Sequence, residues 1–410
     1  MELPSSDEVH RLTVEEFDTS KLLAHAARQA RQRKYNEFLI VDVDSHHYET
    51  DHLVEIYEYI EEPVLRQLAK TFQSTMGLPM FPQRRSDQEM GGRITRSPLR
   101  RLEKSKHKDG GRRDIDLALR WMDAMGVDYT CLFPTPMLSF GLHPQIEVEV
   151  ALSKAYNRWL CERVLAQEPR LVSLLYLPFN DPDASYAAVR EFGDKKGVVG
   201  FLVTGVRYNA VHDNDYMRTY ALIEEMGKPL AFHAAYNWNS RYMEQMNRFI
   251  SVHALGFPYY NMLHMTNLVI NGIFERFPKL STMWIEGGIA WVPFLMQRLD
   301  NEYMMRPSEA PLLKRLPSEY MAQQFYATQP LELVRNRKLM EATFEAIHAE
   351  TQLCFSTDYP HWDFDLPSTI YDLPFLSEEA KRNILGGNAA RLFGLGPWKN
   401  DPDGKPVFAG

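Results

Sequence analysis

The chain has 410 residues, 45% hydrophobic, 24% charged and 12% aromatic, which is enough apolar material for one large domain or two ordinary ones. Its net charge of −8 argues against a nucleic-acid partner, since phosphate binders are more often basic. No apolar run approaches the roughly 20 residues of a membrane helix, the N-terminal MELPSSDEVHRL lacks an apolar signal region, and the scattered Cys131, Cys161 and Cys354 read as core thiols of a reducing compartment, so a cytoplasmic protein without a membrane partner is expected.

Residues 1–36 read as an N-terminal arm. Its SKLLAHAARQARQRKYNEF is a basic helix expected to pack on the domain or on another subunit. Strand-like and helix-like runs then alternate. FLIVDVD (38–44) is a strand, DIDLALRWMDAMG (114–126) a helix stopped by Gly126, and VDYTCLFP (127–134) a strand. A long helix, EVEVALSKAYNRWLCERVLAQEP, precedes the strand LVSLLYLP (171–178) and the helix PDASYAAVREFGDKK. GVVGFLV (197–203) and KPLAFHAA (228–235) are strands separated by the helix NDYMRTYALIEEMG. The helix NMLHMTNLVINGIFERFP leads to the strand LSTMWIEGG (280–288) and the helix AWVPFLMQRLDNEY. FYATQP (325–330) and QLCFSTDYP (352–360) are the last strands, and SEEAKRNILGGNAARLFGL closes as helices.

About eight strands, most followed by a helix, predict parallel strands with helical crossovers and an α/β fold, a (β/α)8 TIM-like barrel over residues 37–396 with a tail at 397–410. The open doubly wound sheet is the alternative, and no G-x-G-x-x-G follows an early strand to support it. One segment breaks the rhythm. The insertion at about 50–113 ends in PQRRSDQEMGGRITRSPLRRLEKSKHKDGGRR, which reads as a solvated loop, or as a lid or subunit contact offering arginines to an anionic substrate.

A barrel of this kind builds its site at the C-terminal ends of its strands. The first strand ends in LIVDVDSHHYE, where Asp44 and His46, two residues apart, project to one side and can share an ion, while His47 points away. His233 ends the strand PLAFHAA, Glu286 ends TMWIEGG, and Asp358 follows LCFST with His361 just beyond. A carboxylate at such a place is costly unless paired, hydrogen-bonded or bound to a metal. Nitrogen and oxygen donors without a thiolate suit Zn²⁺, with Mn²⁺, Fe²⁺ and Co²⁺ as alternatives. Trp238 and Trp362 border strand ends and are candidates to line an aromatic pocket. The aromatics and methionines of YYNMLHMTNLV read as core packing, with His253 and His264 beside the pocket as the other reading.

The stretches VDVDSHHYE, WMDAMGVDYTCLFPT, KPLAFHAA, NGIFERFPKLSTMWIEGGIAWVPFLMQRLD, STDYPHWDFD and ILGGNAARLFGL, spread over about 38–395, resemble the amidohydrolase superfamily in its amidohydrolase 2 branch, which holds both decarboxylases and hydrolases. The resemblance implies a first ligand pair at Asp44 and His46, a ligand at His233 and an aspartate ligand at Asp358. It also implies that Glu286 stands where the decarboxylases carry a histidine. Arg298 falls near an arginine that those enzymes use for a substrate carboxylate; a surface ion pair on its helix is the other reading.

The resulting expectation is a metal-dependent hydrolase with one divalent ion on Asp44, His46, His233 and Asp358. Glu286, Asp358 and His361 would move protons on a small cyclic, aromatic or unsaturated substrate, and Arg298, Trp238 and Trp362 would bind it. A homodimer or higher homo-oligomer is expected. The alternatives are a metal-dependent non-oxidative decarboxylase of an aromatic or enoic acid and, in another class, a non-catalytic barrel for binding or assembly.

Overall fold

The computed structural model describes residues 19–75, 112–204, 209–233, 242–332, 336–361, 363–396, 398–400 and 406–408. Eight strands form one sheet in chain order: β1 (Val41–His47), β2 (Tyr129–Pro134), β3 (Leu171–Tyr176), β4 (Val198–Thr204), β5 (Leu230–His233), β6 (Thr282–Ile285), β7 (Phe325–Ala327) and β8 (Leu353–Cys354). Every neighbouring pair is parallel, and every strand residue is buried. Helices cover the outside, so both faces of each strand are dry, which is why most of them read as continuous apolar runs. This is the nearly closed (β/α)8 barrel that the alternation predicts.

The helix ends follow local chemistry. Gly126, at φ 73°, terminates the helix Arg113–Met125 in a left-handed conformation that costs glycine little. Asp181 starts Pro182–Phe192 by accepting the Ala184 N–H at 2.9 Å, with Pro182 in the first turn. The helix Phe249–Ile270 begins twelve residues before the predicted Asn261 and carries Pro258 inside it. A proline removes one hydrogen bond from a helix but does not end it where packing holds the chain, and this helix is apolar enough to be held.

The arm helix Thr19–Gln32 packs on Arg113–Met125 of the same chain. Leu22 and Ala26 are buried there, and Arg33 forms a two-pronged pair with Asp372 at 2.8 and 2.6 Å. The first part of the expected insertion is ordered as a 3₁₀ turn (Glu49–His52) and two helices, Leu53–Glu58 and Pro63–Thr75. Its basic second half, residues 76–111, lies outside the described residues. The three cysteines are buried and unpaired. Among the described residues no helix is long and apolar enough to cross a membrane. Two short antiparallel strands, Trp398–Asn400 and Pro406–Phe408, lie in the tail.

The barrel departs most from its sequence outline at the last strand. QLCFSTDYP forms only two residues of ladder. Beyond Cys354 the backbone leaves β7 and satisfies its groups one at a time. Ser356 N–H donates to the Thr328 hydroxyl, Thr357 N–H to the Asp42 carboxylate and Asp358 N–H to the Asp44 carbonyl. On the other side, Val43 N–H donates to Phe355 O at 3.0 Å and His46 N–H to Tyr359 O at 2.7 Å. The ring is thus closed between β8 and β1 by an irregular seam rather than by a regular ladder.

Candidate metal centre

Parity along β1 sets the first donors. Asp44 and His46 lie two residues apart near the end of the strand; the register against β2 shifts between Asp42 and Ser45, so the alternation does not carry back to Asp42, and all three are buried. His47 takes the opposite face, where Nε2 meets the Tyr156 hydroxyl at 2.8 Å and the ring stacks on Trp159. His46 Nδ1 lies 3.0 Å from the Pro134 carbonyl, which can only accept, so Nδ1 carries the proton and Nε2 offers its lone pair inward.

Three groups stand within 3.3 Å of that nitrogen, and Glu286 stands beside one of them. His233, the last residue of β5, places Nε2 at 3.1 Å from His46 Nε2. Asp44 Oδ1 is 3.2 Å and Asp358 Oδ1 3.3 Å from His46 Nε2. His233 Nε2 lies 3.4 Å from both Asp44 Oδ1 and Glu286 Oε2. Phe133 walls the two imidazoles, with ring centroids 6.0 Å from His46 and 5.4 Å from His233. Asp358 also holds His361, whose Nδ1 is 2.7 Å from Asp358 Oδ1 and whose ring stacks on His46.

The two carboxylates beyond β1 sit in unusual backbone. Glu286 has φ 52° and Asp358 φ 58°, the left-handed region that side chains with a Cβ seldom occupy. Such conformations persist where surrounding contacts over-determine them. The Glu286 turn is clasped on both sides. Asn261 donates to Ile285 O, and Glu332 accepts the Ile289 and Ala290 N–H groups at 3.1 Å each. Gly288, at φ 65°, lets Glu332 approach so closely that an added Cβ would meet Glu332 Oε1 at 2.2 Å. Gly288→Ala is therefore expected to destabilise the protein by about 1–3 kcal/mol, the range for strained backbone. A fall in the denaturation midpoint at unchanged slope would register this; an unchanged midpoint would show the turn to be slack.

The electrostatics fit a cation. Burial alone would raise Asp44, but the His233 and His46 imidazoles outweigh it and hold this carboxyl below the ordinary range. Burial also lowers His46, against the pull of Asp44. Glu286 is raised well above the usual range by burial and then by Asp44 and Asp363; Asp358 is raised by burial, Glu286, Asp44, Asp363 and Asp42. Both oxygens of Asp44 and Oδ2 of Asp358 are buried without a hydrogen-bond partner among the described residues. Unpaired buried carboxylates carry a large desolvation cost that a bound cation removes.

The spacing agrees. Four ligands placed tetrahedrally at about 2.1 Å from a divalent ion stand about 3.4 Å apart, and five donor pairs, each containing His46 or His233, stand 3.1–3.4 Å apart. Asp44, His46, His233 and Glu286 form one metal-sized group, and His46, Asp358 and His361 a second. Both use His46, whose Nδ1 is engaged, so its single inward lone pair serves one ion and not two.

Of the other expected site residues, Arg298 is exposed on the helix Trp291–Met305 and pairs with Glu302 at 2.9 Å, away from the cluster of its own chain. Trp238 and Trp362 lie outside the described residues. His253 reaches within 3.8 Å of Asp363, and Asp363 is near enough to raise Glu286 and Asp358. A surface cleft of about 330 Å³, lined by Arg158, Cys161, Glu162, Glu191, Lys195 and Lys196 among others, borders none of the clustered groups. The sequence reading gave no role to Asp42, Thr357, Asp363, Asn261 or Glu332. For Asp42 the period of two was no signal, since a register shift between Asp42 and Ser45 interrupts the alternation that joins 44 to 46.

A family model described as amidohydrolase matches residues 43–395. The 2-amino-3-carboxymuconate-6-semialdehyde decarboxylase of Dictyostelium discoideum is 23% identical over 290 residues, covering 70% of this chain and 78% of that protein. The γ-resorcylate decarboxylase of a Rhizobium species is 25% identical over 295 residues, covering 68% and 87%. A 5-carboxyvanillate decarboxylase from Novosphingobium aromaticivorans, solved with bound manganese and a nitrobenzoic acid, aligns over 87% of this chain and 97% of its own with a TM-score of 0.63 at 18% identity, a likeness of fold.

Proposed function

The chain belongs to the amidohydrolase family, and from that premise we propose that it is a metal-dependent non-oxidative decarboxylase of an aromatic or enoic acid. The observation that carries the reading is the buried convergence of two imidazoles on Asp44, neither of whose carboxylate oxygens has a hydrogen-bond partner among the described residues. The direction toward carbon–carbon cleavage comes from the relatives named above, which are decarboxylases by name. This displaces the hydrolase expectation to second place.

Asp44, His46, His233 and Asp358 would hold the ion. Zn²⁺ was the expectation from the donor types; the manganese of the related structure supports Mn²⁺ equally well. A divalent ion bound there supplies positive charge that draws in and orients the acid group of the substrate. The protein's own part is positional and protonic. Phe133 closes one side of the cluster to water. Burial, then Asp44 and Asp363, raise the Glu286 carboxyl well above its ordinary range, which favours its protonated form before the ion binds. In the reaction the bond between the carboxyl carbon and its neighbour breaks, the electron pair stays on the neighbour, CO2 leaves, and one proton fills the vacated position. Glu286 and the Asp358-held His361 are the groups placed to deliver that proton.

Glu286 also supports the hydrolytic alternative, because a carboxylate at that place is a competent base for water. Turnover of a panel of hydroxybenzoates and dienoic acids in D2O separates the two. The expected result is CO2 release with one deuterium at the vacated carbon. Incorporation of ¹⁸O from labelled water into the organic product, without CO2, would establish hydrolysis instead.

A further inference from the structure

We propose that Asp42 is the positioning residue of the metal centre, closing the seam between β8 and β1 and thereby setting Asp44 against Asp358. The metal half of this statement rests on the metal-centre reading above; the seam half does not.

Asp42 is 2% exposed and sits two residues before Asp44 on β1, paired with Thr130 of β2 just ahead of a register shift. Four donors saturate its two oxygens. Oδ1 accepts the N–H of Asp44 at 3.1 Å and the N–H of Thr357 at 2.8 Å. Oδ2 accepts the hydroxyl of Thr357 at 2.6 Å and that of Thr130 at 3.0 Å. One carboxylate therefore joins β1, β2 and the segment leaving β8. It grips the backbone of one expected ligand and of the residue before the other.

This bracket falls where the barrel has least ladder. β8 contributes two residues, and among the described residues the chain beyond it meets β1 through an isolated bridge, Ser45 to Tyr359, and scattered backbone bonds rather than a ladder. Asp358 N–H donates to Asp44 O at 2.7 Å, so the two ligand-bearing residues are bonded backbone to backbone. The Thr357 hydroxyl, while donating to Asp42, also accepts the Tyr359 N–H at 3.0 Å. The left-handed residue Asp358 is thereby held between two tied neighbours. Positive φ at a residue with a Cβ needs such over-determination.

Hydrogen-bond capacity selects an aspartate. Both ends of its carboxyl group can accept, and four donors meet them; an asparagine turns one of the two ends into a donor. Its NH2 cannot face the two backbone N–H groups, so it must face the hydroxyls. There the Thr357 oxygen already accepts from Tyr359 and loses its own acceptor. Partners that orient ligands from behind typically govern metal affinity by about 10–100-fold.

The test compares the wild-type chain with Asp42→Asn, Thr357→Val and Thr357→Ser. Two quantities are read: Mn²⁺ affinity of the metal-stripped proteins by calorimetry, and amide hydrogen exchange over 355–359 in the same metal-free proteins. Asp42→Asn and Thr357→Val are expected to bind Mn²⁺ about 10–100-fold more weakly and to exchange faster over 355–359. Thr357→Ser keeps the hydroxyl and is expected to stay within about twofold of wild type in affinity, below the range of a lost outer partner. A residue that served stability alone would lower the melting temperature and leave Mn²⁺ affinity unchanged, and that result overturns the proposal. So does a Thr357→Ser variant as impaired as Thr357→Val, which would assign the effect to packing of the methyl group. If Asp42→Asn fails to fold, the two Thr357 variants decide by themselves. If the wild-type chain takes up no Mn²⁺, the metal reading falls, and exchange then decides the seam: unchanged protection in Asp42→Asn and Thr357→Val rejects it.

Discussion

His233→Ala is expected to lose its divalent ion and its turnover while keeping its fold. His233 Nε2 stands within 3.4 Å of three other donor atoms: His46 Nε2, Asp44 Oδ1 and Glu286 Oε2. Removing it takes away a neutral nitrogen ligand and also the strongest of the neighbours that hold Asp44 ionised against burial. The loss of affinity should exceed the roughly 100-fold that an outer partner costs. The cost to the apo fold should stay within the roughly 0.5–3 kcal/mol usual for single substitutions, because the imidazole sits at the end of β5 and the strand below it is untouched. Metal analysis after dialysis and thermal melts with and without a chelator check both statements. An ion present at 100 times its Kd stabilises the native state by about 2.7 kcal/mol, so the chelator should lower the wild-type melting temperature and leave the variant unmoved. A variant that retains stoichiometric metal and still responds to the chelator would move the centre away from these residues.

Glu286→Gln is expected to lower kcat by at least ~10²-fold, the low end for a lost general acid or base. The amide has the size of the acid and the same tolerance of φ 52°, so the turn held by Asn261 and Glu332 should survive. What changes is the ability to carry a proton at Oε2. Metal content should remain close to wild type, since the proposed ligands Asp44, His46, His233 and Asp358 do not include it. A parallel fall in metal content would reassign Glu286 as a ligand. Near-normal kcat with normal metal would leave proton transfer to His361, which Asp358 already orients at 2.7 Å.

The site was legible in the sequence wherever a donor lies on or just past a regular strand. Asp44 and His46 follow from a period of two, His233 from being the last residue of an apolar run, and Glu286 from following one. Asp358 was placed at a strand end as well, although the ladder stops four residues before it. Its position comes from acceptors on β1, the Asp42 carboxylate and the Asp44 carbonyl, and nothing local in QLCFSTDYP specifies them. Arg298 shows the opposite limit. Its helix was legible, but the sequence left a surface ion pair and a substrate contact equally open, and the structure shows the ion pair with Glu302.

Strand and helix periodicity is a local property, set by neighbours two to four residues away, and the chain alone therefore determined the eight βα units, the barrel and the rim on which the chemistry gathers. Hydrogen-bond satisfaction of buried polar groups is a global property, because every buried donor must find an acceptor wherever the fold brings one. Asp42 and Thr357 are 315 residues apart in the chain and 2.6 Å apart at their oxygens. The seam they close, the left-handed turns at Glu286 and Asp358, and the 3.1–3.4 Å spacing of the donors exist only once the barrel has closed. No pattern along the chain encodes a distance between groups that meet only through the packing of all eight strands.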